Sequence, residues 1–532
     1  MKKNQILEKA LLFVAIFFAV VIIVSNAIGF FWLNSLFIGA VSLVISFFLV
    51  KKFGPKIETE RGLFALMLFL LVLLIFPLIL INNFFPASID PISTSMLRIL
   101  DGRIPLTHEP YSTINLSYAL GSPLVNNMFS ETITIIPDYL WPWIMGVVSG
   151  VLQLFFFYLF AGALFTNKKT AIYATAIFFC GKLIFENFYV GEMAWYLGSM
   201  FMFLFLYLHL KKNPLQYIVF PAVFAAHPLA GFNLLVILCV YWATHLPKVK
   251  EVLKLAISLL LVAPLIVMSY GPIAVNLLFN RGTGMSFLPP GFLPAVAAMP
   301  FWVGTGLTIV LIFAIVLALK KKMLSKFEEK KFLAGLLIFS AALFIFFCSI
   351  GFMLAGKEIE VTIIAMVLLS AALFAQMKFE NKKRLAVIAI ILIVAMVFFF
   401  ASTKLDHYRD GSKISQDGIT FARGFYEIDP EMSTVLFLTK EGGKIAEYSN
   451  KIPYDVTGSH TIVYFAFVYY HDAAYDELGV KKEIQESIFA GKEIGKIQDL
   501  NVKYIAVNTA DFNTPLPYKL IYNYNSYNLY EK

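Results

Sequence analysis

Charge is what this sequence has least of. Only 14% of its 532 residues are Asp, Glu, Lys or Arg, against 59% hydrophobic, and the mean hydropathy is +0.77. Soluble globular domains carry roughly a quarter charged residues, so that class is excluded. Cysteine is almost missing. Cys180, Cys239 and Cys348 all fall inside apolar stretches, which excludes a disulfide framework and leaves them as small packing residues. Heptads, metal-finger spacings, low-complexity tracts and a repeat between halves are also absent, which removes coiled coils, zinc modules and repeat architectures.

What is present is a series of long apolar runs. About 20 residues cross a hydrocarbon layer of ~30 Å, and the stretches 10–33, 35–50, 63–82, 143–165, 170–188, 194–210, 252–272, 298–319, 332–354, 359–377 and 384–402 qualify. Leu215 to His245 is too long for one span and too short for two full ones, and lysines flank it at both ends. We read it as two short spans meeting at Ala226-His227-Pro228-Leu229-Ala230-Gly231. The expected fold class is a polytopic α-helical membrane protein of about thirteen transmembrane helices.

The basic residues set the orientation. Clusters at Lys2/Lys3/Lys9, Lys51/Lys52/Lys56/Arg61, Lys168/Lys169, Lys211/Lys212, Lys248/Lys250/Lys254, Lys320 to Lys331 and Lys378 to Arg384 hold 24 of the 43 Lys and Arg residues and alternate onto one side. By the positive-inside rule that side and the N-terminus are cytoplasmic, in a plasma membrane. The net charge of +9 is thus a topology signal and does not point to nucleic acid. The first apolar run lacks a small-residue cleavage site and reads as a retained anchor.

After about Thr403 polar residues and turn chemistry take over. Val435–Thr439 and Tyr504–Asn508 read as buried strands, Ile521–Tyr530 as a hairpin around an Asn-Ser turn, and Asp472–Leu478 and Lys481–Ala490 as helical. We expect a transmembrane domain over 1–403 and a small extracytoplasmic α/β domain over 404–532. No nucleophile motif, glycine-rich phosphate loop or metal cluster occurs in the latter.

The chemistry is sought in the 59-residue connection 82–140, which falls on the outer side. A connection of this length between spans is seldom slack. It contains Asp90-Pro-Ile-Ser-Thr-Ser-Met-Leu-Arg98-Ile-Leu-Asp-Gly102-Arg103-Ile-Pro105, then His108-Glu109-Pro-Tyr111 and Tyr118-Ala-Leu-Gly-Ser-Pro-Leu124. Pro91 and Gly102 suit the two ends of a short helix. Two readings of Asp90 stand open: a cap on that helix, or a general base at the mouth of a membrane cavity.

An acidic residue after an early span, a short helix, a Gly-x-x-Pro step and then Tyr-x-x-Gly-x-Pro-Leu resembles the first external loop of the GT-C membrane glycosyltransferases. His227-Pro-Leu-Ala-Gly231 between short spans and the Tyr-rich soluble ending are similar to further features of that superfamily. The resemblance implies a polyprenyl-phosphate-linked sugar as donor, a protein, lipid or glycan acceptor, and an inverting displacement on the outer face among membrane lipids. It puts Asp90 in the place of the catalytic acid and Glu192, in the second external loop, in that of another acidic residue. Glu192 reads equally as a helix-start carboxylate. A divalent metal is left undecided. A lipid phosphate needs cations, and Arg98, Arg103, Arg281 and Lys357 are the outer-loop choices beside Lys182, with His227 as a further donor. His108, Glu109 and Tyr111 complete the expected substrate-binding set. The chain departs from the superfamily pattern in having two extra spans before the loop, and it lacks the Trp-Trp-Asp-Tyr-Gly type motif of oligosaccharyltransferases. The alternatives are a transporter or lipid-handling protein, against which we count the scarcity of ionisable residues within the spans, and a catalytically inactive GT-C-like scaffold.

Overall fold

The computed structural model describes residues 2–28, 35–80, 107–108, 111–115, 120–136, 141–179, 193–267, 293, 305–320, 329–349, 355–376, 414–431, 433–449, 451–454 and 472–532. Its first part is a helical bundle. In order it comprises α1 (Lys2–Ile28), α2 (Ser35–Phe53), α3 (Arg61–Leu80), the short strands β1 (Thr107–His108) and β2 (Tyr111–Asn115), and α4 (Gly121–Thr132). Then come α5 (Trp141–Phe165), α6 (Lys168–Phe179), α7 (Met193–Leu210), α8 (Gln216–Ala226), α9 (Pro228–Thr244), α10 (Val249–Ser258), α11 (Thr305–Lys320), α12 (Lys330–Ser349) and α13 (Ala355–Ala375). Four of the described helices, within α1, α2, α5 and α12, are long and apolar enough to cross a membrane. The chain is a multi-pass membrane protein.

These segments are helical because hydrocarbon offers no partners to backbone N–H and C=O groups, so each apolar run must pair its own. Helix α5 is the centre of the bundle and is buried over most of its length. Phe157 stacks on Phe178 of α6 at 4.2 Å and meets the edge of Phe203 of α7 at 4.9 Å. Aromatic pairs of this kind contribute about 0.5–1.5 kcal/mol each beyond their buried area.

The break expected in 215–245 is present. Helix α8 stops at Ala226, His227 is extended (φ −157°, ψ 125°), and Pro228 opens α9 at a position where its missing N–H costs nothing. The expected span 252–272 is interrupted instead: α10 ends at Ser258 and a 3₁₀ turn runs from Leu259 to Val262. The Asn26 side-chain amide on α1 donates to the Leu261 carbonyl at 3.0 Å, and a side chain on the backbone ladder is one of the ordinary causes of such irregularity.

The C-terminal unit has α14 (Gln416–Ile428), β3 (Thr434–Leu438), α15 (Gly442–Ser449), β4 (Ile452–Pro453), α16 (Asp472–Phe489), a 3₁₀ turn (Ile494–Asp499), β5 (Tyr504–Asn508), β6 (Lys519–Tyr524) and β7 (Tyr527–Glu531). The sheet order is β4-β3-β5-β7-β6, parallel among β4, β3 and β5 and antiparallel from β5 through β7 to β6. Alternation along the strands builds two cores. Val435, Phe437, Tyr504 and Ala506 face α14 and α15, while Leu436, Leu438, Ile505 and Val507 face α16 and the 3₁₀ turn. The two helices expected at 472–490 are one continuous α16, and the hairpin turns at Asn525, whose φ is +50°. Helix α14 has a serine cap, with the Ser415 hydroxyl accepting from Gly418 N at 3.0 Å.

A buried charge cluster pins this unit. Lys451, whose side chain is fully buried, donates to the carbonyls of Asp429 and Glu431 and lies 3.6 Å from the Asp429 carboxylate, which Lys503 also reaches at 3.1 Å. Burial pushes the Asp429 pKa up, but the Lys503 hydrogen bond and the charges of Lys451 and Lys503 outweigh it and hold it below the usual carboxylate range. A depressed folded-state pKa contributes stability that is complete above the unfolded value and is lost as pH falls through the folded one. Asp429→Asn is therefore expected to remove about 3 kcal/mol at neutral pH and to weaken the acid sensitivity of the sheet. Hydrogen exchange of the β3 and β5 amides in the full-length protein, compared at neutral and acidic pH, checks both. Wild-type exchange in the variant would exclude the pin.

Candidate functional site

Three helices begin at a common point. Trp195 is the third residue of α7, Asn233 the sixth of α9 and Glu360 the sixth of α13. Trp195 Nε1–H and Asn233 Nδ2–H both donate to Glu360 Oε2, each at 2.8 Å. All three residues are at most 3% exposed. Each helix runs from this point toward a basic segment: α7 to Lys211/Lys212, α9 to Lys248/Lys250 and α13 to Lys378. Trp195 precedes Leu210 by fifteen residues, so the cluster sits about 22 Å along α7 from its basic end.

The His227 turn is packed into the same region by two glycines. A Cβ on Gly198 of α7 would lie 2.6 Å from His227 Cβ and 2.9 Å from Ala230 Cβ. A Cβ on Gly121, the first residue of α4, would lie 2.6 Å from the Ala225 carbonyl oxygen and 2.7 Å from Ala226 Cα. The start of α4 is thereby in backbone contact with the end of α8, immediately before His227. His227 itself is half-buried, donating its backbone N–H to Val223 and accepting from Gly231 N, both at 3.2 Å.

Of the other residues singled out in the sequence, His108 and Tyr111 are register partners across the β1–β2 hairpin. Lys357 lies in the first turn of α13, three residues before Glu360, and not in a loop. Asp90, Arg98, Arg103, Glu109, Glu192 and Arg281, with the expected helix 91–101, lie outside the described residues. Tyr118 does too, and its motif continues into α4, a buried helix where the sequence reading had only loop.

Sequence reasoning missed Glu360. It counted few ionisable residues within the spans, and the structure corrects this: Glu8 and Glu360 are both buried in the bundle. The available signal was a glutamate one residue inside an apolar run, next to Lys357-Glu358. Glu8 belongs to the opposite, basic end, where its Oε1 accepts from both the backbone N and the hydroxyl of Thr59. It holds α1 against the segment before α3 and is not part of the site. Among the described residues no group of three His, Cys, Asp or Glu side chains is placed to hold a metal ion.

No family model matches the sequence, and no curated protein matches it. Solved structures do. The arabinofuranosyltransferase AftD from Mycobacteria is 12% identical over 85% of this chain with a TM-score of 0.49, and this chain spans only 35% of its length. The oligosaccharyltransferase of Archaeoglobus fulgidus is 11% identical, covering 84% of this chain and 70% of its own, with a TM-score of 0.41. ArnT from Cupriavidus metallidurans is 11% identical with a TM-score of 0.54. The fold is shared with ArnT over 88% of this chain and 96% of ArnT.

Proposed function

We propose that this chain is a membrane glycosyltransferase that moves a sugar from a polyprenyl-phosphate-linked donor to an acceptor on the outer face. The observation that carries the reading is the convergence of α7, α9 and α13 on Glu360, away from the lysine-rich end and beside the His227 turn. In this reading the N-terminus is cytoplasmic and the C-terminal unit lies outside. Asp90 takes the acceptor proton as the acceptor attacks the anomeric carbon, and the bond to the lipid phosphate breaks in one inverting displacement. Arg281 and His227 stabilise the charge on the departing phosphate. Glu192 orients the acceptor. Arg98, Arg103, His108, Glu109, Tyr111 and Lys357 surround the headgroups.

The test is transfer of radiolabelled sugar from a panel of polyprenyl-phosphate donors, with purified protein in nanodiscs and membrane extract as acceptor. Label transfer from at least one donor is the expected result. Folded protein that transfers from none would overturn the proposal. The buried Glu8 and Glu360 favour a second reading, a lipid-linked-sugar transporter. Movement of a fluorescent donor across vesicle membranes without transfer would mark that outcome.

A further inference from the structure

We infer that Glu360 is a positioning residue, one carboxylate oxygen that locks α7, α9 and α13 to one another and so holds the His227 turn in place. The inference rests on the transferase reading. Two of the locked helices carry proposed site residues at their starts: His227 caps α9, and Lys357 is in the first turn of α13.

Packing alone does not call for a carboxylate here. Burying one costs several kcal/mol, and apolar residues of similar volume hold helices together as well or better. A carboxylate adds direction. Its oxygen accepts two N–H groups whose positions are fixed by an indole and an amide on different helices. Both of these donors are neutral, and their hydrogen bonds to the carboxylate are charge-assisted.

Transmission to the site follows from contact distances. Gly198 stands one turn along α7 from Trp195 and touches the His227 turn with no room for a methyl group. A slip between α7 and α9 at the Glu360 tie therefore moves His227, not merely the helices beneath it. Misplacement by about 1 Å at a catalytic centre costs on the order of 10²-fold in rate. Thr362, two residues further along α13, bonds Ser340 of α12 at 3.0 Å, which anchors α13 from its other side.

The experiment compares Glu360→Gln, Glu360→Ala and Trp195→Phe with wild type in nanodiscs. It reads kcat and KM for the donor, together with hydrogen exchange along α7 and α9. The glutamine carbonyl can accept both N–H groups, so Glu360→Gln should stay within about threefold of wild type. Glu360→Ala should lower kcat by about 10–100-fold with KM nearly unchanged. Exchange should rise at 194–198 and 229–233 while 204–210 and 238–244 stay protected. Trp195→Phe, which keeps the carboxylate and removes one donor, should show the same pattern at smaller amplitude.

Wild-type kcat and wild-type exchange in Glu360→Ala and Trp195→Phe would overturn the inference. So would a Glu360→Gln variant as inactive as Glu360→Ala with unaltered exchange, which would make the carboxylate a reacting group. If wild type itself transfers no sugar, the transferase reading fails separately. Exchange then decides the tie alone: a local rise at the starts of α7 and α9 upholds it, and wild-type exchange or uniform loss of protection overturns it.

Discussion

Asp90→Asn is expected to lower sugar transfer by about 10²–10⁴-fold, the range a positioned general base contributes, while leaving thermal unfolding unchanged. The substitution separates the two readings of this residue. Asparagine caps a helix about as well as aspartate, so if Asp90 only begins the expected helix 91–101, the variant should turn over like wild type. An amide cannot accept the proton of an acceptor hydroxyl or amine, so if Asp90 is the base, turnover collapses at normal stability. Asp90→Ala would confound the two, because it removes cap and base together. Glu192→Gln serves as the companion. An orienting carboxylate there predicts a smaller loss, carried largely by the acceptor KM. Wild-type turnover by Asp90→Asn would take Asp90 out of the mechanism and leave Glu192 as the remaining proposed acid.

Several features were legible because they are periodic or punctuated. The spans are long apolar runs, the His227 break carries a proline, and β3, β5 and the β6–β7 hairpin follow the expected strand patterns. Their physical causes act within a few residues. The site was legible only in part, because its central contacts are remote in sequence. Glu360 lies 165 residues from Trp195 and 127 from Asn233. No local signal distinguishes a glutamate tied to two other helices from one that merely ends a span. Trp195 and Asn233 were invisible for the same reason: an indole near a membrane interface and an amide in an apolar helix each have ordinary local explanations. Helix α4 was read as loop because it is short and polar, with Ser122, Asn126, Asn127 and Ser130 among its buried residues. Asn127 Nδ2 bonds Glu131 within α4 at 2.9 Å and reaches Ser35 of α2 at 3.4 Å.

Gly121→Ala should damage both the packing of the bundle and turnover. The new Cβ would meet the carbonyl oxygen and carbon of Ala225 and the Cα of Ala226 at 2.6–2.7 Å, all of them backbone atoms that no rotamer change can move aside. Either the start of α4 lifts from α8 or the end of α8 shifts, and that end carries His227. Overpacking of this kind costs typically 1–3 kcal/mol, and we expect turnover to fall by about tenfold or more because the displaced element belongs to the site. Gly198→Ala pushes on His227 from the opposite helix and should lower turnover as well, through side-chain Cβ contacts at 2.6 and 2.9 Å. Because both substitutions act on one turn, the double variant should lose less than the sum of the two. Gly62→Ala is the control, since a Cβ there meets nothing within 4 Å. Thermal unfolding and donor turnover measured on all four variants check the set. Wild-type values for Gly121→Ala would mean that α4 is not seated on the His227 turn; additive losses in the double variant would mean that the two glycines act on separate elements.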